Sequence, residues 1–298
     1  MNKPNFLIVG LARSGTTSLY YYLKQHPEIY LPKVKEPKYF SSINRMFPHR
    51  GKGDESVDSS RIYSQSEYLN LFKEVKNETA IGEASSDYFF YIDECLLEIL
   101  DELGPHINII ICLRNPYDRA YSAYNNLLRD SRELFSFEQG LKIEKERMRK
   151  NFDWMWFYLN GSLYHDKLEK IMNTFHNTHV IYFDDIENNT PLVLKNVCNF
   201  LNVDCNFQFD SDIIYSSSGK PKNLLFKYLS KRYGPIFWIR KQTLKLFPRN
   251  ILERISRSFF KKGNMGENEI KLMKKKLNED IDKLISLLEN EQLKKWRR

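Results

Sequence analysis

The chain has 298 residues, 42% hydrophobic and 28% charged, with 46 Lys and Arg against 38 Asp and Glu. That balance suits a folded protein with a sizeable core rather than a disordered chain, and no apolar run reaches the roughly 18 residues of a membrane-spanning helix. The first residues lead straight into an apolar strand, and Cys95, Cys112, Cys198 and Cys205 form no C-x-x-C pair, so a cytoplasmic protein with reduced thiols is expected.

Taken in order, residues 6–9 (FLIV) read as a short strand, residues 10–15 as a glycine-bounded turn, and a helix pattern starts at Thr16 and lasts to His26-Pro27. A short extended piece at 29–32 follows. Pro32 and Pro37 then hold Lys35 and Glu36 in a constrained loop. Residues 41–66 are polar and read as a mobile segment with little core of its own, suited to a lid or recognition role. A helix is expected near 66–75, a second strand at 80–82 ending in Glu83-Ala84-Ser85-Ser86, and an amphipathic helix over 91–103 stopped by Gly104-Pro105.

Residues 107–113 (INIIICL) are apolar on both faces, as a central parallel strand requires. Arg114-Asn115-Pro116 ends that strand, with Pro116 placed as the first residue of a helix. Residues 133–160 look helical and rich in aromatics, and those at 152–164 are read first as core and second as sugar-stacking surfaces. A helix at 162–175, a strand at 178–183 ending in Asp184-Asp185 and a helix at 190–201 complete the alternation. The fold class expected is therefore α/β, a P-loop-like three-layer arrangement with a central parallel sheet flanked by helices.

Residues 220–298 hold 22 of the 46 basic residues and only 8 of the 38 acidic ones. They read as a basic helical extension, ending in a helix at 267–295, packed on a core of residues 1–219. Its charge suggests peripheral contact with an anionic surface, such as a polyanionic glycan or a membrane. No nucleic-acid-reading motif is present, so nucleic acid is not expected as a partner. The six histidines form no metal-ligating cluster, and no metal is expected.

The chemistry concentrates in the first turn. Its spacing, G-x-x-x-x-G-T-T, is a phosphate-cradling P-loop frame with Thr16 where the lysine belongs, and the loop's cation is Arg13. The strand at 107–113 ends in Arg114, where a nucleotide kinase places a metal-binding carboxylate. One lysine and one carboxylate are replaced by two arginines, which suits an anionic nucleotide bound without a neutralising metal.

Arg13-Ser14-Gly15-Thr16-Thr17-Ser18-Leu19, taken with Arg114-Asn115-Pro116-x-x-Arg119-Ala120-x-Ser122, resembles the cofactor signature of the PAPS-dependent sulfotransferases. The resemblance implies that Arg13, Ser14, Gly15, Thr16, Thr17 and Ser18 hold the 5′-phosphosulfate. It also implies that Arg114 and Ser122 hold the 3′-phosphate. Lys35-Glu36-Pro37-Lys38-Tyr39-Phe40 and the segment 82–89 are similar to the heparan-sulfate-type and bacterial carbohydrate branch, although Ser86 and Asp87 depart from its pattern. Ser217-Ser218-Gly219-Lys220 loosely matches a loop that closes on the cofactor, adding Gly219 and Lys220 to the binding set.

The activity so implied is in-line transfer of the sulfuryl group of PAPS to a hydroxyl or amine of a glycan or glycolipid. Glu36 is the expected base, with Arg13 stabilising the transferred charge and Lys35 assisting the leaving side. A P-loop nucleotide or sugar kinase and a non-catalytic nucleotide-binding protein stand as alternatives.

Overall fold

The structure, a computed structural model, describes residues 2–211, 220–221, 260–261 and 265–298. Contacts divide the chain into two interleaved compact units. The first holds residues 1–45, 60–114 and the described part of 164–213; the second holds 46–59, 115–163 and the described part of 214–298. The expected boundary after residue 219 lies outside the described residues, as does nearly all of segment 224–262, where Pro235 and Pro248 lead one to expect short helices.

The first unit carries a five-stranded sheet of β1 (Phe6–Val9), β2 (Ile29–Tyr30), β3 (Ala80–Ala84), β4 (Asn108–Leu113) and β5 (Asn177–Tyr182). All pairs are parallel and the order is β2-β3-β1-β4-β5. β1 is buried along its whole length and β4 from Ile109 onward, which is why both read as uninterrupted apolar runs. The helix Thr16–Leu23 packs with Thr190–Phe200, and Ile92–Leu103 packs with His165–Thr174, giving the expected α/β layering. From central β1 the chain moves to one side for β2 and β3, then to the other for β4 and β5. In such sheets the crevice for a ligand opens beyond the C-terminal ends of the strands at that reversal.

β3 continues two residues past the expected end, so Glu83 is a strand residue in register with Leu7 of β1. Gly10, directly after β1, has φ 128°, and a Cβ there would meet the Cys112 carbonyl oxygen at 2.4 Å. Both the dihedral and the contact with neighbouring backbone exclude a side chain. Gly10→Ala is accordingly expected to lower stability by about 2 kcal/mol or more, read from urea denaturation.

The segment expected to be a mobile polar loop is tied down by charge instead. In the first unit Arg61 donates to Asp87 Oδ2 at 3.0 Å and to Ser41 Oγ at 3.1 Å, with the side chains of both ion-pair partners wholly buried. In the second, His49 Nδ1 meets Asp58 Oδ1 at 2.6 Å, while Asp54 pairs with Arg132 and accepts from Trp156 Nε1 at 3.0 Å. Buried charges persist only when paired in this way, so part of this polarity marks an ionic core, while Arg50 and Lys52 stay exposed.

The second unit also corrects the helix expected over 133–160. Two short helices, Phe137–Lys142 and Glu144–Arg149, are followed by single turns at Trp154–Trp156 and Asn160–Ser162. Asp153 caps the first of these turns by accepting from the Met155 amide. Trp154, Trp156, Phe157 and Tyr158 are buried, so the cluster is core.

Asn115 caps the helix Pro116–Arg129 with Pro116 in its first turn, as expected. Arg119 on that helix is fully buried. It donates to Ser162 Oγ and to the Phe157 and Tyr158 carbonyls at 2.9–3.1 Å, so it is scaffold rather than site. The last long helix, Glu267–Leu288, is shorter than expected and ends before a turn at Glu291–Trp296. It buries Met273, Leu277, Ile281 and Leu284 as its spacing foretold. Tyr117 donates to Asn278 Oδ1 on it at 2.8 Å. No described helix is long and apolar enough to cross a membrane.

Candidate active site

The loop after β1 delivers backbone donors to the sheet edge. Gly15 adopts φ 97° as the residue before the helix Thr16–Leu23, and a Cβ on it would stand 2.7 Å from Ile186 Cδ1. No side chain caps that helix and no acid sits in its first turn, so its N-terminal end keeps its partial positive charge. Ser14 is fully buried and its hydroxyl has no partner among the described residues. A buried unpaired hydroxyl costs about 1–3 kcal/mol, which points to a ligand group as its missing partner.

Arg13 is also left-handed, at φ 80°, and is half-buried. Its carbonyl accepts from Arg114 Nη1 at 3.0 Å, joining the loop to the end of β4. Arg114 is further fixed by the Phe183 ring, 4.2 Å from the guanidinium carbon, and by Tyr164, whose hydroxyl donates to the Arg114 carbonyl at 3.0 Å. Stacking and a backbone anchor leave this guanidinium little freedom, as bidentate recognition of phosphate requires. The structure thus brings together the two arginines expected from sequence. Ser122 is buried two turns into the helix Pro116–Arg129 and belongs to the second unit. Gly219 lies outside the described residues, and Lys220 is described only as strand backbone.

The loop carrying Lys35 and Glu36 rests on the C-terminal end of β3. The Glu36 amide donates to the Ala84 carbonyl at 3.0 Å, and the Lys38 amide to Ser85 Oγ at 3.1 Å. Glu36 and Lys38 adopt φ near 58°, costly for residues with a Cβ. Lys35 Nζ lies 2.9 Å from Glu36 Oε1, Lys38 Nζ 3.5 Å from Oε2, and Ser86 Oγ donates to Oε1 at 3.0 Å. Burial acts to raise the Glu36 pKa, but the two ammonium charges and the hydrogen bonds from Lys35 and Ser86 outweigh it and hold the carboxyl at about 2. It is ionised throughout the working range of pH, with its side chain 27% exposed.

Glu83 is the residue whose placement sequence reasoning missed. It is completely buried, and burial pushes its carboxyl up to about 8, opposed by the Tyr88 and Ser85 hydroxyls and helped by the charges of Asp87 and Glu36. Ser85 Oγ donates to Glu83 Oε2 at 2.9 Å while accepting from the Lys38 amide. The chain Glu83–Ser85–Lys38 therefore steadies the strained loop beneath Glu36. The available signal was the strand itself: β3 lies between β2 and central β1, so Glu83 has no route to water.

Its titration should be visible in stability. The folded pKa stands above the ordinary 4.5, so the folded state binds the extra proton and stability falls as pH rises between about 4.5 and 8. Glu83→Gln, which cannot ionise, is expected to flatten that fall, measured by urea denaturation at pH 6 and pH 9.

Among the described residues no group of three or more His, Cys, Asp or Glu side chains is gathered as a metal site. The arrangement sets the fixed Arg114 guanidinium, the loop carrying Arg13 and the ionised Glu36 carboxylate at the C-terminal ends of neighbouring strands.

Comparison with known proteins agrees. The family model described as "Sulfotransferase family" matches residues 4–207. The crystal structure of a sulfotransferase from Alicyclobacillus acidocaldarius superposes with a TM-score of 0.80 at 30% identity, covering 100% of both chains. The human bifunctional heparan sulfate N-deacetylase/N-sulfotransferase 3 is 34% identical over 128 residues, 41% of this chain and 13% of that protein. The Dictyostelium discoideum membrane-associated sulfotransferase kil1 is 30% identical over 123 residues, 41% of this chain and 22% of that protein. The chain thus spans less than a quarter of the length of these two curated relatives. Neither the matches nor the site, with Thr16 for lysine and Arg114 for a carboxylate, favours a kinase. On its motifs, its fold and this match over two thirds of its length, the chain belongs to the sulfotransferase family.

Proposed function

We propose that this protein transfers a sulfuryl group from PAPS to a hydroxyl or amino group of a carbohydrate acceptor. The observation that carries the reading is the bond from Arg114 to the Arg13 carbonyl. It joins a helix N-terminus with an orphaned buried serine to a stacked arginine, two anion-binding elements in one site. A nucleotide with phosphate at both its 5′ and 3′ positions fits such a pair, and the residues present fit that group.

Residues 13–18 would hold the 5′ end through backbone donors, hydroxyls and the Arg13 charge. Arg114 would hold the 3′-phosphate, with Ser122 assigned to it by motif. When bound, PAPS supplies the sulfuryl group and a leaving phosphate. Glu36 takes the proton from the acceptor. A carboxylate at about 2 is a weak base while Lys35 and Lys38 neutralise it. An anion drawing either lysine away raises its basicity, so the base strengthens when the donor is in place. The same movement leaves Lys35 able to support charge on the leaving side. The choice of a carbohydrate acceptor is supported by the human relative, named for heparan sulfate.

The test is transfer of labelled sulfate from PAPS across a panel of glycans, glycolipids and small phenols, without added metal. Labelled glycan is expected. Tight binding of adenosine 3′,5′-bisphosphate with no transfer to any acceptor would favour a non-catalytic nucleotide-binding protein.

A further inference from the structure

A cleft of about 510 Å³ opens within the second unit, formed by segments 50–52, 132–135 and 143–156. Its floor is ionic and already neutral. Arg132 pairs with Asp54, and Arg147 pairs with Glu133 at 2.8 Å, while their guanidinium carbons lie 5.4 and 4.7 Å from the Trp156 ring centroid. Arg147 keeps one terminal nitrogen, Nη1, with no partner among the described residues. Glu133 also accepts from Tyr158 at 2.5 Å and from the Leu134 and Phe135 amides, so it repels no anion at full strength.

The rim differs. Arg50 and Lys52 on one segment and Lys150 on another are exposed cations, and Lys150 is paired with Glu146 in a solvent-exposed pair of little strength. On the same cleft Leu134 and Phe135 are 71% and 50% exposed, an apolar face that the described residues leave uncovered.

We propose that this cleft binds a polyanionic saccharide. A lone phosphate or sulfate is gripped by converging donors, whereas these rim cations are divided between two segments of the cleft, as repeated carboxylates or sulfates along a chain demand. Flat apolar surface between the charges suits the C–H faces of sugar rings. The cleft volume lies in the range of sites for compact ligands, room for a few rings rather than a single ion. The inference rests on the proposed function only in taking the ring-bearing anion to be a saccharide.

The test uses the full chain and a heparin-derived tetrasaccharide, with cellotetraose and inorganic sulfate as controls. Calorimetry gives affinity, and hydroxyl-radical footprinting reads the protection of Phe135 and Phe152. The tetrasaccharide is expected to bind, to protect both rings and to weaken with salt. In Arg50→Ala/Lys150→Ala, which changes only exposed side chains, affinity should fall about tenfold and protection should vanish. Binding of adenosine 3′,5′-bisphosphate, measured on the same samples, should not change. Unaltered affinity or protection in the double variant overturns the proposal, as does equal protection by cellotetraose or by sulfate. Failure of the wild-type protein to bind the bisphosphate would instead count against the reading of the candidate active site.

Discussion

Glu36→Gln is expected to bind adenosine 3′,5′-bisphosphate as the wild type does and to lose roughly 10²–10⁴ in kcat for sulfate transfer. The amide keeps the size of the carboxyl and still accepts from Ser86 and Lys35, so the loop stays in place. What disappears is the pair of electrons that accepts the acceptor's proton. Calorimetry and single-turnover transfer on one sample separate the two effects, and wild-type turnover in the variant would put the base elsewhere. The electrostatics add a pH signature. In the free enzyme Lys35 and Lys38 hold Glu36 at about 2, below the range of an assay, so kcat/KM should show no acid limb from this group. Lys38→Ala removes one of the charges that lower the pKa. It should therefore move the limb upward toward the ordinary carboxylate range, where it becomes visible.

The second large effect is on donor binding. Arg114→Ala is expected to weaken adenosine 3′,5′-bisphosphate about 100-fold or more, near 3 kcal/mol, because charged hydrogen bonds to phosphate are lost. It also frees the Arg13 carbonyl, so the loop loses a tie that a nucleotide lacking the 3′-phosphate would still depend on. Adenosine 5′-phosphate should consequently lose a smaller factor than the bisphosphate does. Equal loss for both would mean that Arg114 acts through the loop rather than on the 3′-phosphate. A bisphosphate affinity equal to wild type would refute the assignment of this site.

Much of the site is written in local sequence. β1 and β4 are apolar because both faces of a central strand are covered, and the residues that follow them, 10–17 and Arg114, are placed by that fact alone. The loop at Lys35 and Glu36 was legible through Pro32 and Pro37. Less legible was whatever depends on partners remote in sequence. Asp54 and Arg132 are 78 residues apart and Arg61 and Asp87 are 26 apart, so a segment whose buried charges are paired with remote residues reads in isolation as a solvated loop. Residues 133–160 failed differently. Their apolar side chains follow a helix-like pattern, but a capping aspartate at 153 and Gly161 packed against the Arg119 guanidinium break it into turns. Glu83 was underrated because its segment departs from the family pattern only at Ser86 and Asp87, while its weight comes from complete burial.

Arg13, Glu36 and Lys38 share left-handed backbone, a conformation that glycine adopts freely and long charged side chains do not. A protein engineer optimising this scaffold for heat resistance would write glycine or asparagine at all three positions and recover about 1 kcal/mol at each. The natural chain keeps three charged residues there, a cost to folding that the proposed function would repay at an anion site. The melting temperature gained by such a redesign, set beside the turnover it forfeits, would measure how much durability this fold gives up in order to handle an anion.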